Sequence, residues 1–176
     1  MLLANRQWAL KPQDVVVLTK IGVNADAAFT FLRLASEIDL APSAVHGSVS
    51  RLIAARLLTQ SEGFPTLVRQ AALEFLLYGV RYCFPPVTGS ATRGIATAYA
   101  APPLRDLISQ AESTPPVWPS PSGDVRGFAL YPLYSNVPSA AQRDIRLYEC
   151  LALIDSLRLG AARERDLAVR LLGERL

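Results

Sequence analysis

The residues best suited to chemistry lie between Ser43 and Arg51: Ser43, Ala44, His46, Gly47, Ser50 and Arg51. At helical spacing they share one side, opposite Val45, Val49, Leu52 and Ile53. The set suits a reader of a polar groove. Small side chains permit close approach, the imidazole donates or accepts at a base edge, and the guanidinium pairs with a phosphate or a guanine. Arg33 and Arg69 flank the series and are expected to clamp backbone phosphates.

A second group is Arg81, Tyr82, Arg93 and Tyr99. It offers a pocket for an anionic effector or a grip on a partner chain; the alternative is a loop whose aromatics pack on the core. Trp118, in PPVWPSP, either anchors a partner or pins a proline-rich loop to its own domain.

Catalytic chemistry finds no foothold. His46 is the one histidine, so a histidine metal cluster is excluded, and any Ser-His-Asp or Cys-His pair would have to be built on it. Cys83 and Cys150 lie too far apart for a metal motif and form no disulfide framework; both are expected in the core. Thr88-Gly89-Ser90 and Thr92-Arg93-Gly94 lack the spacing of phosphate-cradling loops, and the carboxylates are scattered. The chain reads as a non-enzyme that uses no cofactor and no metal.

Composition sets the frame for these groups. With 176 residues, 51% of them hydrophobic, the chain can bury a core of one or two compact domains. The apolar runs are too short to span a bilayer, and the first residues lack a secretory pattern, so a soluble cytoplasmic protein without membrane contact is expected. A net charge of +3 only weakly suggests an anionic partner.

The positioning elements follow from periodicity and caps. Pro12 and Asp14 open a helix through Ile21 that ends near Gly22. Thr30 caps a second, with Phe31, Leu34, Ala35 and Ile38 in step. Asp39 to Pro42 forms a turn, and Ser43 heads a third helix and is expected to cap it. Leu58–Gln60 and Thr66–Val68, punctuated by Gly63 and Pro65, make a small hairpin with Glu62 at its tip and no Lys or Arg there. Gln70–Phe84 is a helix apolar almost all round, hence buried or at an interface. Residues 85–103 and 112–123 read as long loops around a short helix at 104–111, and VRGFALYPLY reads as extended. Two helices, Ile145–Leu159 and Ala161–Leu176, close the chain about Gly160.

Over about forty residues this pattern resembles the winged helix-turn-helix bacterial regulators, most like the MarR type. Leu34-Ala35 supplies the first-helix pair, Leu40 the turn hydrophobe, Val45 and Val49 the inner face, Leu52 the helix end and Leu57-Leu58 the exit. The family commonly has glycine where this chain has Arg56, so a left-handed exit there carries strain. The resemblance implies a mainly α fold with a small β-hairpin wing, a winged helix-turn-helix domain over 1–69 and a helical region with long loops over 70–176. It implies a sequence-specific DNA-binding regulator, a dimeric repressor or autoregulator, that binds double-stranded DNA and dimerises through its terminal helices. The alternative is an antitoxin-like or adaptor module that uses residues 85–123 to bind a protein encoded nearby.

Overall fold

The computed structural model describes residues 8–60, 63–108 and 114–176. Glu62 and the end of the helix expected at 104–111 lie outside these residues.

Helix α1 (Pro12–Val23) starts where Pro12 pre-sets the first turn and the Asp14 carboxylate accepts the Lys11 amide at 2.8 Å. Every residue from Asp14 to Val23 is buried, as befits a central helix. The Thr30 hydroxyl caps α2 (Phe31–Glu37) by accepting the Arg33 amide. The chain then turns at Asp39, whose φ of +52° is left-handed. Helix α3 (Pro42–Ala54) buries Val45, Ser48, Val49 and Leu52 against α1 and α2. Its N-cap is Ala41, without a side-chain bond; Pro42 fills the first helical position. Ser43 therefore lies inside the helix, exposed, and is not the cap expected of it. After α3 the backbone turns at Arg56 (φ +59°) into the antiparallel pair β1 (Leu58–Thr59) and β2 (Thr66–Leu67).

The helix expected over Gln70–Phe84 forms as α4 (Arg69–Glu74), a π-helical turn (Phe75–Gly79) and α5 (Val80–Cys83). The wider π turn keeps residues four apart, Ala72, Leu76 and Val80, facing inward. The opposite side is open: Tyr78 and Tyr82 are 64% and 74% exposed.

The loops expected around 85–123 are corrected by a three-stranded barrel. Strand β3 (Thr88–Ala96) pairs antiparallel with β5 (Val125–Leu130), then at its far end with β4 (Pro116–Pro119). A short parallel ladder between β4 and β5 closes it. Gly94 makes the crossing possible, because it faces both Pro119 and Val125; a Cβ there would stand 2.0 Å from the Trp118 carbonyl oxygen. Gly123 meets Gly94 as closely from the other side.

Helices α6 (Val137–Arg143), α7 (Ile145–Leu159) and α8 (Ala162–Arg175) complete the chain, with Gly160 ending α7 as expected. One hydrophobic core runs from Val15 through Leu34, Leu52, Leu76 and Trp118 to Leu172. Polar ties also cross position 69, where a soft boundary was expected. The buried Lys20 ammonium pairs with Glu37 at 2.7 Å and with Asp144, the N-cap of α7, at 2.6 Å. Asn136, Ser139 and Arg143 of the α6 region hold Asp39 in the turn before α3. Cys150 is buried, but Cys83 is exposed, against expectation. Among the described residues no helix is long and apolar enough to cross a membrane.

Candidate functional site

Helix α3 presents Ser43, His46 and Ser50 to solvent, with Ala44 and Gly47 half-buried between them. The Ser50 hydroxyl donates to the His46 carbonyl at 2.9 Å, which leaves its lone pairs outward. The His46 ring stacks on Phe31 of α2, centroids 3.7 Å apart and planes 15° from parallel. The contact continues from Phe31 to Phe64 of the hairpin at 5.0 Å and on to Phe29 at 6.0 Å. An aromatic ladder thus joins α3 to the β1–β2 connection.

Arg51 is the main departure from the sequence reading. Its guanidinium turns inward and grips the Asp14 carboxylate with two bonds of 2.7 Å, Nε to Oδ2 and Nη2 to Oδ1. Hydrogen bonding to that carboxylate pushes its pKa further up. The Asp14 side chain is 1% exposed and that of Arg51 14%, so the pair fastens α1 to α3 and Arg51 is not presented to a base or phosphate. Gly47 leaves the room this needs, since a Cβ there would lie 3.2 Å from Nη1 of Arg51.

Of the two expected clamps, Arg33 is half exposed; it pairs with Glu37 at 2.7 Å and lies over the Phe29 ring. Arg69 instead donates to the Gly173 carbonyl at 2.7 Å and lines a cavity beside the hairpin. The exposed cations nearest α3 along the chain are Arg33 before it and Arg56 at its exit.

The second expected cluster is not brought together. Arg81 lies over its neighbour Tyr82 at 4.9 Å on α5, and Tyr99 is half-buried on a 3-10 turn at 98–100. Arg93, on β3, donates to the Gly123 carbonyl and stands directly opposite Arg126 of β5; both are exposed. Trp118 is 1% exposed and donates its indole N–H to Asp155 at 2.6 Å, so it pins its own strand to α7 and is not a partner anchor. Asp155 also accepts from Thr97 at 2.8 Å and pairs with Arg158 at 2.6 Å. Burial pushes the Asp155 pKa up despite these partners. The helical stripes expected to dimerise, with Leu147, Leu151, Leu171 and Leu172, are consumed by the chain's own core.

No family model, curated protein or solved structure matches this chain.

Proposed function

We propose that this protein binds double-stranded DNA through a winged-helix arrangement, as a sequence-specific transcriptional regulator. The observation that carries the reading is the outer face of α3. Its short polar residues Ser43, His46 and Ser50 are exposed, His46 braced flat on Phe31, on a helix whose inner face is packed. A helix so built enters the major groove without steric obstruction. Arg33 before it and Arg56 after it supply the positive rim that phosphates require. Reading falls to His46 and Ser50, positioning to the rim. A homodimer belongs to this proposal, its surface sought at Tyr78 and Tyr82 because the stripes of α7 and α8 are already covered.

The test selects duplexes from a random pool and measures affinity for the winners. His46→Ala relaxes preference at one base position by about 1–3 kcal/mol. Arg33→Ala weakens every duplex alike and lowers the salt slope by about one. Absence of any enriched sequence, with no duplex bound at low salt, overturns the reading.

A second reading has its own observation. Arg93 and Arg126 face each other across β3 and β5, and like charges so placed oppose strand pairing. Arg126 forms no ion pair among the described residues, so the barrel presents unneutralised positive charge. That face fits an acidic surface of a protein partner, as an adaptor or antitoxin would need. Stoichiometric co-purification with a neighbouring gene product, lost in Arg126→Glu, supports this; an unchanged complex in that variant refutes it.

A further inference from the structure

An apolar cleft lies beside the arginine pair of the barrel. Side chains alternate along a strand, so Ile95 stands two residues beyond Arg93 on the same face of β3. It forms one wall of a cleft of about 170 Å³, with Ala141 and Gln142 of α6 and Ile145 and Tyr148 of α7 as the others. Ile145 opens α7 and is 62% exposed, which leaves apolar surface at the mouth. The Tyr148 hydroxyl donates to the Ala96 carbonyl at 2.8 Å and its ring meets Trp118 edge-on, so the floor is fixed. Gln142 accepts from Ser122, the neighbour of the Gly123 whose carbonyl holds Arg93. Cleft and arginines therefore make one surface. Among the described residues neither Arg93 nor Arg126 forms an ion pair, and Asp124, two residues before Arg126, bonds to neither. The cleft is smaller than small-molecule pockets, which begin near ~300 Å³, and has room for a single aliphatic side chain.

We infer that this surface docks a linear acidic segment of a partner protein, with one aliphatic side chain in the cleft and a nearby Asp or Glu between Arg93 and Arg126. The inference rests on the reading of the barrel as a partner-binding face and specifies what that face takes. A carboxylate between the two guanidinium groups relieves their repulsion and makes charge-assisted contacts with both. Residues two apart on a strand are separated by about 7 Å, so anchor and carboxylate stand two apart in an extended segment. A nucleic acid fits less well. The walls are mostly aliphatic, and the one ring among them, Tyr148, is already packed on Trp118 and offers no platform for a base.

The experiment selects a random dodecapeptide library displayed on phage against the full chain. In parallel, fluorescein-labelled Gly-Glu-Asp-Glu-Leu-Glu-Asp-Glu-Gly is titrated by anisotropy. The expected result is enrichment of Leu, Ile or Val with Asp or Glu two residues away, and saturable binding of the labelled peptide. Ile145→Ser weakens that peptide about tenfold at every salt concentration, because the anchor loses apolar contact. Arg126→Gln weakens it about threefold to fivefold at low salt and hardly at about 1 M salt, where charges are screened. The same variant raises the urea midpoint of the free chain, since the cross-strand repulsion is gone. Both replaced residues are exposed, and urea midpoints check that each variant folds. Enrichment of peptides without acidic residues, an affinity that both variants leave unchanged, or no peptide bound overturns the inference. Tighter binding of a single-stranded thymidine oligonucleotide, lost in Arg126→Gln, gives the face to nucleic acid and overturns it too. So does a dimer in sedimentation that Ile145→Ser dissociates, which gives the face to a second copy. A native complex lost in Arg126→Glu while no peptide binds leaves the adaptor reading standing and refutes the linear segment. Peptide binding without a native complex supports the segment and refutes that reading.

Discussion

Replacing Arg51 by alanine removes the guanidinium that neutralises a carboxylate 1% exposed to solvent. Two hydrogen bonds of 2.7 Å go with it. Breaking a buried pair from one side costs about 3–5 kcal/mol, because the remaining charge has nowhere to go. Two features place this case at the lower end. Asp14 keeps the Lys11 amide at 2.8 Å, and Arg51 is itself 14% exposed, so water reaches that side of the pair. The expected loss is therefore about 3 kcal/mol, a fall of roughly 1.5 M in the urea midpoint for a slope of about 2 kcal/mol/M. Arg51→Leu combined with Asp14→Leu regains most of that loss, since apolar residues substitute well for a buried ion pair. A double-mutant cycle on equilibrium unfolding measures both quantities. An Arg51→Ala protein within 1 kcal/mol of the parent, yet devoid of DNA affinity, would return Arg51 to the groove and refute the inward assignment.

Other outcomes follow from the same geometry. Arg56→Gly removes a left-handed strain of about 1–2 kcal/mol and adds an unfolded-state entropy cost of about 0.5–1 kcal/mol. It should raise the urea midpoint slightly while weakening DNA and lowering the salt slope by one, and a lowered midpoint contradicts this. Bonds from Arg143 and Ser139 hold the Asp39 carboxyl below its usual range, and those from Lys20 and Asn24 do so at Asp144 although burial opposes them. Depressed carboxylates stabilise the fold above the ordinary carboxylate range, and that stability is lost as pH falls through their folded pKa values. The urea midpoint should therefore drop on acidification below about pH 4–5, and Arg143→Gln should lower the midpoint at neutral pH and make that drop smaller, since the Asp39 carboxyl then titrates closer to its unfolded value. A flat profile to pH 3 contradicts the ion-pair accounts. A thiol reagent should label exposed Cys83 at once and buried Cys150, whose pKa burial pushes up to about 12, only on unfolding. Two fast-reacting thiols contradict the packing of α7.

The helices were legible because their signals are local. Pro12, Thr30 and Gly160 mark ends, and Leu34, Val45, Val49 and Leu52 repeat at helical steps, so the helices from α1 to the hairpin follow from sequence, the start of α3 excepted. Of the barrel only β5 was legible, as the extended run from Val125; β3 and β4 were not, because no alternation marks them. Its strands are set by backbone approach at Gly94 and Gly123 and by a β4 that begins and ends in proline, all signs normally read as loop. The site divides the same way. That α3 shows Ser43, His46 and Ser50 outward is a matter of helical period. That Arg51 turns away is decided by Asp14, thirty-seven residues earlier, and Arg69 is drawn off by Gly173, one hundred and four residues later. Local pattern cannot carry pairings at such separations.

Fluorescence anisotropy of a selected duplex across a salt series, with the parent chain and Ser50→Glu, tests the groove assignment most directly. A carboxylate at the centre of the α3 face should cost tenfold or more in affinity at every salt concentration, with the unfolding midpoint unchanged. The parent should show log Kd rising linearly with log salt. Equal binding by Ser50→Glu, or no binding by either protein at low salt, would contradict the assignment of α3 to DNA.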